Sequence, residues 1–240
     1  MPENKWIQGA DALNLLGTGS IEVIGRMPYS SNATLLVKIQ GEGDEIAAIY
    51  KPHQGERPLW DFPDGLYQRE VAAYRLSESL GWDLIPPTII RYDAPYGVGS
   101  LQLFIDARFD EHYFTLMDRP ELASTFIRFC VFDLIANNTD RKSGHILIDK
   151  NDHLWGIDNG LTFHEDSKLR TVIWEFGGAQ IPEQDRELLR KNSSEISESL
   201  SELISEVELE ALSRRIRYVI SKKKLPELDP EYRPYPWPLV

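Results

Sequence analysis

Short runs of alternating apolar and polar residues dominate the first hundred positions. Ile21–Gly25 and Ala33–Ile39 read as two strands joined through Arg26–Asn32, and Glu45–Tyr50 as a third that ends at Lys51-Pro52. The polar, proline-containing stretch His53–Pro63 reads as a loop. The period then lengthens: Val71, Tyr74 and Leu80 fall on one side of a helix predicted from Asp64 to Leu80, with Gly81 as its stop. Ile85–Tyr92 and Ser100–Ile105 are two further strands. Beyond Asp106 the pattern changes. Pro120 suits a first helical position, and Leu122–Ile135 is apolar on all sides, which predicts a buried helix. Two short β-runs, His145–Ile148 and Leu154–Ile157, flank the turn Asp149–Asp152. The last third is helical and charged, with a capping box at Ser205–Glu208 and Leu209, Leu212, Ile216, Val219 and Ile220 on one face. From Pro226 onward five prolines accompany Tyr232, Tyr235 and Trp237, which predicts an extended strap whose aromatics lie against the helical part. The organisation expected is a β-rich lobe with one helix over residues 1–105, a mainly helical lobe over 106–225, and a tail over 226–240.

Composition narrows the classes. Of 240 residues 42% are apolar and 27% charged, which excludes global disorder. Lys and Arg number 26 against 38 Asp and Glu, a net charge of −12. That balance argues against a nucleic-acid partner held by a basic face and against electrostatic residence on an anionic membrane. The single cysteine, Cys130, allows no internal disulfide and no thiolate metal cluster. No apolar run approaches the roughly 20 residues that span a bilayer, and the first residues lack a secretory apolar stretch, so no stable membrane insertion and a cytoplasmic location are expected. No feature bears on oligomeric state.

Several chemistries lack their motifs. There is no Gly-x4-Gly-Lys-Ser/Thr loop, and Gly17-Thr-Gly19 and Gly97-Val-Gly99 lack the third glycine of a dinucleotide fingerprint. The five histidines show no zinc spacing, and no Gly-x-Ser-x-Gly elbow is present. Trp60, Trp82, Trp155, Trp174 and Trp237 are read as packing residues.

The informative stretch is Asn137-Asn-Thr-Asp140-Arg-Lys-Ser-Gly-His145, followed by Ile157-Asp158-Asn-Gly160. An aspartate just after a buried helix, a β-hairpin, and a second aspartate in Asp-x-Gly are the local order of a kinase catalytic loop and its metal-binding loop. One carboxylate orients an acceptor hydroxyl and takes its proton, while the other holds a divalent ion against nucleotide phosphates. Gly160 is expected to permit the backbone turn. Upstream, Lys51 ends the third strand, where it can reach the phosphates, and Glu70 follows 19 residues later on the helix as its partner. Ser30, Ser31 and Asn32 occupy the place of a phosphate-covering loop without its glycines. Each of these residues alone has an ordinary use: Asp140 and Asp158 as turn formers, Lys51 as a solvated strand end, Glu70 as a surface charge, and Ser30, Ser31 and Asn32 as turn residues. Their joint order favours phosphoryl transfer.

Asn-Thr-Asp140-Arg with Ile157-Asp158-Asn-Gly-Leu161, Arg69-Glu-Val-Ala-Ala-Tyr74 and Tyr50-Lys51-Pro52 resembles the phosphatidylinositol 3-/4-kinase superfamily, in particular compact type II phosphatidylinositol 4-kinases and small bacterial proteins grouped with them. The resemblance runs from about Ile21 to Phe163. It implies an α+β, two-lobed protein-kinase-like fold, with ATP and Mg²⁺ or Mn²⁺ as cofactors and a hydroxyl acceptor as partner. It implies Asp140 as catalytic aspartate, Asp158 as metal ligand, Lys51 as phosphate-binding lysine with Glu70 beside it, and Gln102–Ile105, including Phe104, as the hinge strand meeting adenine. Where the family has asparagine as a second metal ligand, this chain has His145, read as a metal ligand that would favour Mn²⁺ over Mg²⁺ or as a phosphate contact, with packing beneath the nucleotide as its ordinary use. Lipid head groups, protein Ser/Thr and small molecules remain open as acceptors, with an inactive nucleotide-binding pseudokinase as the alternative that His145 supports. A carboxylate-pair hydrolase would leave Lys51 and Glu70 unexplained.

Overall fold

A computed structural model describes residues 9–28, 32–229, 231 and 234–240. Helix α1 (Gly9–Thr18) leads into β1 (Ser20–Arg26), β2 (Leu35–Gln40) and β3 (Glu45–Pro52). Helix α2 (Leu66–Ser79) precedes β4 (Thr88–Arg91) and β5 (Gly99–Leu103), and the five strands form an antiparallel sheet in the order β1-β2-β3-β5-β4. The short α3 (Tyr113–Leu116) and the long α4 (Ala123–Ala136) follow. Strands β6 (Ile146–Ile148) and β7 (Leu154–Gly156) make a separate hairpin, and α5 (Glu183–Leu200) and α6 (Glu206–Ser221) complete the helical lobe. This is the α+β, two-lobed kinase-like fold.

Local chemistry sets the boundaries, and some fall away from the expected places. Helix α2 starts at Leu66 rather than Asp64, because Gly65 takes a left-handed φ of 87°. The Glu56 carboxylate then accepts the amides of Gly65, Leu66 and Tyr67, satisfying donors that a helix start leaves unpaired. Gly81 ends the helix at φ 59°, as expected. Pro120 opens a 3-10 turn over Pro120–Leu122, and the α-helix proper starts at Ala123. Pro86 and Pro87 hold the chain out of the ladder, so β4 covers only Thr88–Arg91. Helix α1 was not visible in the pattern; ten residues flanked by glycines carry too short a period, yet Ala12 and Leu16 are fully buried. The Ser205 cap is present: its amide donates to Glu208 Oε2 at 2.9 Å, and Glu208 N donates to Ser205 Oγ at 3.4 Å.

Two apolar clusters fill the molecule. One joins Leu15 and Leu16 of α1 to Val37, Ile39, Tyr50 and Leu101 of the sheet. The larger one joins Ala72, Ala73 and Leu76 of α2 to α4, the β6–β7 hairpin, α5 and α6. Helix α2, which carries Glu70, therefore shares its core with the helical lobe. No helix among the described residues is long and apolar enough to cross a membrane.

The tail is a strap, held differently from the expectation. Thr171 N donates to Pro234 O at 3.0 Å, and Ser143 N donates to Leu239 O at 2.8 Å. Trp174 Nε1 also donates to Pro234 O, at 3.4 Å. Pro234 and Pro236 are buried, whereas Tyr235 is exposed and Trp237 is 87% exposed. Tyr232 lies outside the described residues. Among the described residues, backbone carbonyls and buried prolines, not Tyr235 or Trp237, fasten the strap. Trp60 is likewise 96% exposed and does not pack, while Trp82 does.

Candidate active site

Lys51 stands on β3, paired in register with Ser100 of β5, one step from the Pro52–Gly99 pair. A Cβ at Gly99 would collide with the Lys51 carbonyl oxygen, so glycine here lets β5 lie close against the strand that presents the lysine. Glu70 projects from α2 and is 3% exposed. Lys51 Nζ donates to Glu70 Oε1 and, at 2.5 Å, to Asp158 Oδ1. The other Glu70 oxygen accepts the Asn159 amide at 3.0 Å, so one carboxylate aligns both the lysine and the Asp-x-Gly loop. Burial alone would lower the Lys51 pKa, but Asp158 and Glu70 outweigh it and hold the ammonium charged well above its ordinary value. The Lys51 cation pulls the Asp158 carboxyl well below the carboxylate range against the opposing effect of burial.

Asp158 itself adopts the left-handed backbone, at φ 59°. The turn expected of Gly160 thus falls two residues earlier, on a residue type that tolerates it. Gly160 has no left-handed φ, and a Cβ there would sit in ordinary contact, 3.4 Å from Glu70 Oε1. Non-glycine residues in this region store local strain that the surrounding contacts must hold.

Arg141, fully buried, provides much of that holding. Its Nε donates to both oxygens of Asp133 at 3.1 Å, and its Nη2 reaches Asp133 Oδ1 at 2.9 Å. The same guanidinium donates to Ile157 O at 3.0 Å and Asn159 Oδ1 at 2.8 Å. It therefore ties helix α4 to the residues on both sides of Asp158. Asn138 donates to Asp133 Oδ1 at 3.0 Å and accepts the Asp140 amide at 3.0 Å, which sets the backbone of the Asp140 loop. Asn137 ends α4 at φ 53°.

Asp140 is partly buried, and Lys142 Nζ lies 3.0 Å from its Oδ2. Burial pushes the Asp140 carboxyl up, with Lys142 opposing. His145 sits in a 3-10 turn (Ser143–His145) ahead of β6, with Nε2 3.5 Å from Asp158 Oδ2. Its Nδ1 accepts the Lys142 amide at 3.4 Å. Burial lowers its pKa to about 4, only partly offset by Asp158.

The structure therefore brings Lys51, Glu70, Asp158 and His145 into one connected cluster, with Asp140 and Lys142 paired on the adjoining loop. Of the other expected binding residues, those described make hydrogen bonds within the fold. Ser30 and Ser31 lie outside the described residues. Asn32 Oδ1 accepts the Arg57 amide at 3.1 Å, which ties it to the loop after β3. The buried Gln102 side chain donates to Thr88 Oγ1 at 2.8 Å, and the Phe104 amide donates to Ala47 O at 3.0 Å. Both groups are thus bonded within the sheet.

Comparison with known proteins decides the family. The model of the phosphatidylinositol 3- and 4-kinases matches residues 67–206, more than half of the chain. The chain belongs to the phosphatidylinositol 3- and 4-kinase family. Protein Rv2133c of Mycobacterium tuberculosis is 35% identical over 93% of this chain and 94% of its own length. The solved structure of hydra Fam20 with sugar shares the fold at a TM-score of 0.60 and 13% identity, covering 90% of this chain and 89% of that one. The Helicobacter pylori proinflammatory kinase CtkA does so at a TM-score of 0.52 and 13% identity, covering 87% of this chain and 94% of that one. At such identities the likeness is one of fold.

Members of this kinase family use ATP, usually with a divalent metal, and the donor chemistry at Asp158 suits such an ion. Its carboxylate is ionised and half exposed, and hard oxygen donors match Mg²⁺ or Mn²⁺. Among the described residues, His53, Glu56 and Asp64 also have ligand-like spacing, but Glu56 spends its oxygens on the start of α2. The sequence reading missed Asp133, Arg141, Lys142 and the buried pair of Arg69 Nη2 with Glu208 Oε1 at 2.5 Å. Arg69 also donates to Thr162 O at 2.6 Å, fixing α2 to the loop that follows Asp158. A lone aspartate in the apolar run Phe126–Ile135 was the available signal for Asp133, since a charge there must be paired.

Proposed function

We propose that the chain is an ATP-dependent phosphotransferase that moves the γ-phosphoryl of ATP to a hydroxyl acceptor. The observation that carries this reading is the single lysine bridged between Glu70 and Asp158, with Asp140 on the adjoining loop. Lys51 is a fixed cation for the phosphates, and Glu70 holds it in place from a helix anchored in the helical lobe. Asp158 is the ligand for a divalent ion, which when bound supplies positive charge against the phosphate oxygens. Asp140 orients the acceptor hydroxyl and takes its proton. As the acceptor oxygen bonds to the γ-phosphorus, the bond from phosphorus to the bridging oxygen breaks, and that electron pair leaves on ADP. The segment Gln102–Ile105, at the end of β5, is the hinge strand that meets adenine.

The test is thermal stabilisation by ATP with Mg²⁺ or Mn²⁺, followed by release or transfer of the labelled γ-phosphate to phosphoinositides, Ser/Thr peptides and sugars. Lys51→Met and Asp158→Ala should each remove most of the nucleotide-dependent stabilisation. Wild-type binding of ATP and metal by both variants would refute the site. Binding without transfer to any acceptor or to water would identify a nucleotide-binding pseudokinase.

A further inference from the structure

We propose that Lys142 and His145 together stand in for a second metal ion, so that this site works with one divalent ion at Asp158 and a protein cation at Lys142. The inference rests on the phosphotransferase reading and deepens it.

His145 occupies the position of the family's second metal ligand, but its Nδ1 is engaged by the backbone of its own loop. The ring is largely buried, and Nδ1 accepts the backbone N–H of Lys142. In a neutral imidazole whose Nδ1 accepts, Nε2 carries the hydrogen. That nitrogen faces Asp158 Oδ2 at 3.5 Å. A protonated Nε2 has no lone pair for a metal. Turning it into a ligand would move the proton to Nδ1 and leave the Lys142 amide without its acceptor, an unfavourable exchange in a protected loop. His145 therefore does not act as a metal ligand.

Lys142 fixes that ring through its backbone, and its side chain supplies the charge. Its ammonium lies 3.0 Å from Asp140 Oδ2, with both side chains mostly buried. An acceptor hydroxyl must come within hydrogen-bond reach of Asp140 to lose its proton. The ammonium is then one hydrogen-bond length further from the oxygen that bonds to phosphorus, and two of its three N–H donors remain for phosphoryl oxygens. A pre-placed cation at this point does the electrostatic work that a second ion would do, without being recruited from solution. It also opposes the burial that raises the Asp140 carboxyl.

The experiment counts ions. Mn²⁺ binding to the full chain, saturated with a non-hydrolysable ATP analogue, is followed by electron paramagnetic resonance, with the free analogue as the blank. One bound Mn²⁺ per chain is expected, and two in H145N, where an amide oxygen restores the second ligand. Lys142→Met should keep one Mn²⁺ and analogue affinity within about threefold while lowering phosphoryl transfer about 10²-fold, the order seen when one charge-stabilising donor is lost. Lys142→Arg should recover most of that rate. Two ions in the wild type, one in H145N, or wild-type transfer by Lys142→Met would each overturn the inference. No bound analogue and no bound ion would overturn the phosphotransferase reading along with it, a result distinct from a count of two.

Discussion

Replacing Arg141 by methionine isolates the ion pair that joins α4 to the Asp158 loop. The substitution keeps a long apolar stem beside Phe129 but leaves Asp133 buried at 1% exposure without its counter-charge. Removing one partner of a buried pair costs about 3–5 kcal/mol. Here the cost has a ceiling, because the stranded carboxyl can take up a proton. Protonating an aspartate of ordinary pKa, roughly 3.9, at pH 7 costs about 4 kcal/mol at 1.36 kcal/mol per unit, and about 1.5 kcal/mol at pH 5. Burial already raises the Asp133 pKa, with Arg141 acting against it, so loss of the arginine raises it further. A raised carboxyl pKa in the folded state means that the folded protein holds its proton more tightly than the unfolded chain, so stability falls as pH rises. The unpaired carboxyl should therefore destabilise Arg141→Met by up to about 4 kcal/mol at pH 7, or roughly 8–16 °C in Tm for a chain of this size, and by much less at pH 5, on top of a pH-independent loss of the bonds to Ile157 O and Asn159 Oδ1. Asp133→Asn is the control. Its arginine cannot shed its charge, so its deficit should stay nearly constant over the same range. Urea unfolding of the three proteins at pH 5, 6 and 7 measures this. A deficit in Arg141→Met that does not change with pH would show that lost hydrogen bonds and packing, not an unpaired carboxylate, set the cost.

Asp140→Asn should bind ATP within a few-fold of wild type yet transfer phosphate ~10²–10⁴ times more slowly, and an unchanged single-turnover rate would remove its role as base. His145, with its pKa lowered to about 4 from 6.5, remains neutral in the folded protein while the unfolded chain protonates, so up to about 3 kcal/mol of stability should be lost between pH 6.5 and 4. His145→Asn should flatten that part of a stability–pH curve, and an unaltered curve would contradict it. Truncation after Leu225 removes the carbonyl partners of Ser143, Thr171 and Trp174 and should lower the melting temperature. Trp237→Ala, at an exposed position, should change stability by no more than about 0.5 kcal/mol; a larger loss would return the strap's hold to its aromatics.

Local pattern determined most of the elements and brought the candidate residues into view. The alternation through β1 to β3, the apolar run of α4, the Ser205–Glu208 cap and the order Lys51, Glu70, Asp140, Asp158 are all properties of short windows, where a period or a motif is complete in itself. Contacts between residues far apart in the chain were decided only by the fold. Glu70 meets the Asn159 amide across 89 positions, and Arg69 meets Glu208 across 139, so no window contains either pair. The left-handed residue of the Asp-x-Gly loop was placed on Gly160 by conformational freedom alone. In the structure that conformation falls on Asp158, where Arg141 bonds Ile157 O and Asn159 Oδ1 on either side and Glu70 accepts the Asn159 amide. Gln102 and Phe104 could be assigned to a hinge by order, but whether their polar groups face a ligand or the sheet depends on Thr88 and Ala47. The sequence by itself thus marked the candidate residues. The tertiary structure decided their partners, because charge state, tautomer and strain are set by the neighbours that folding brings within hydrogen-bond distance.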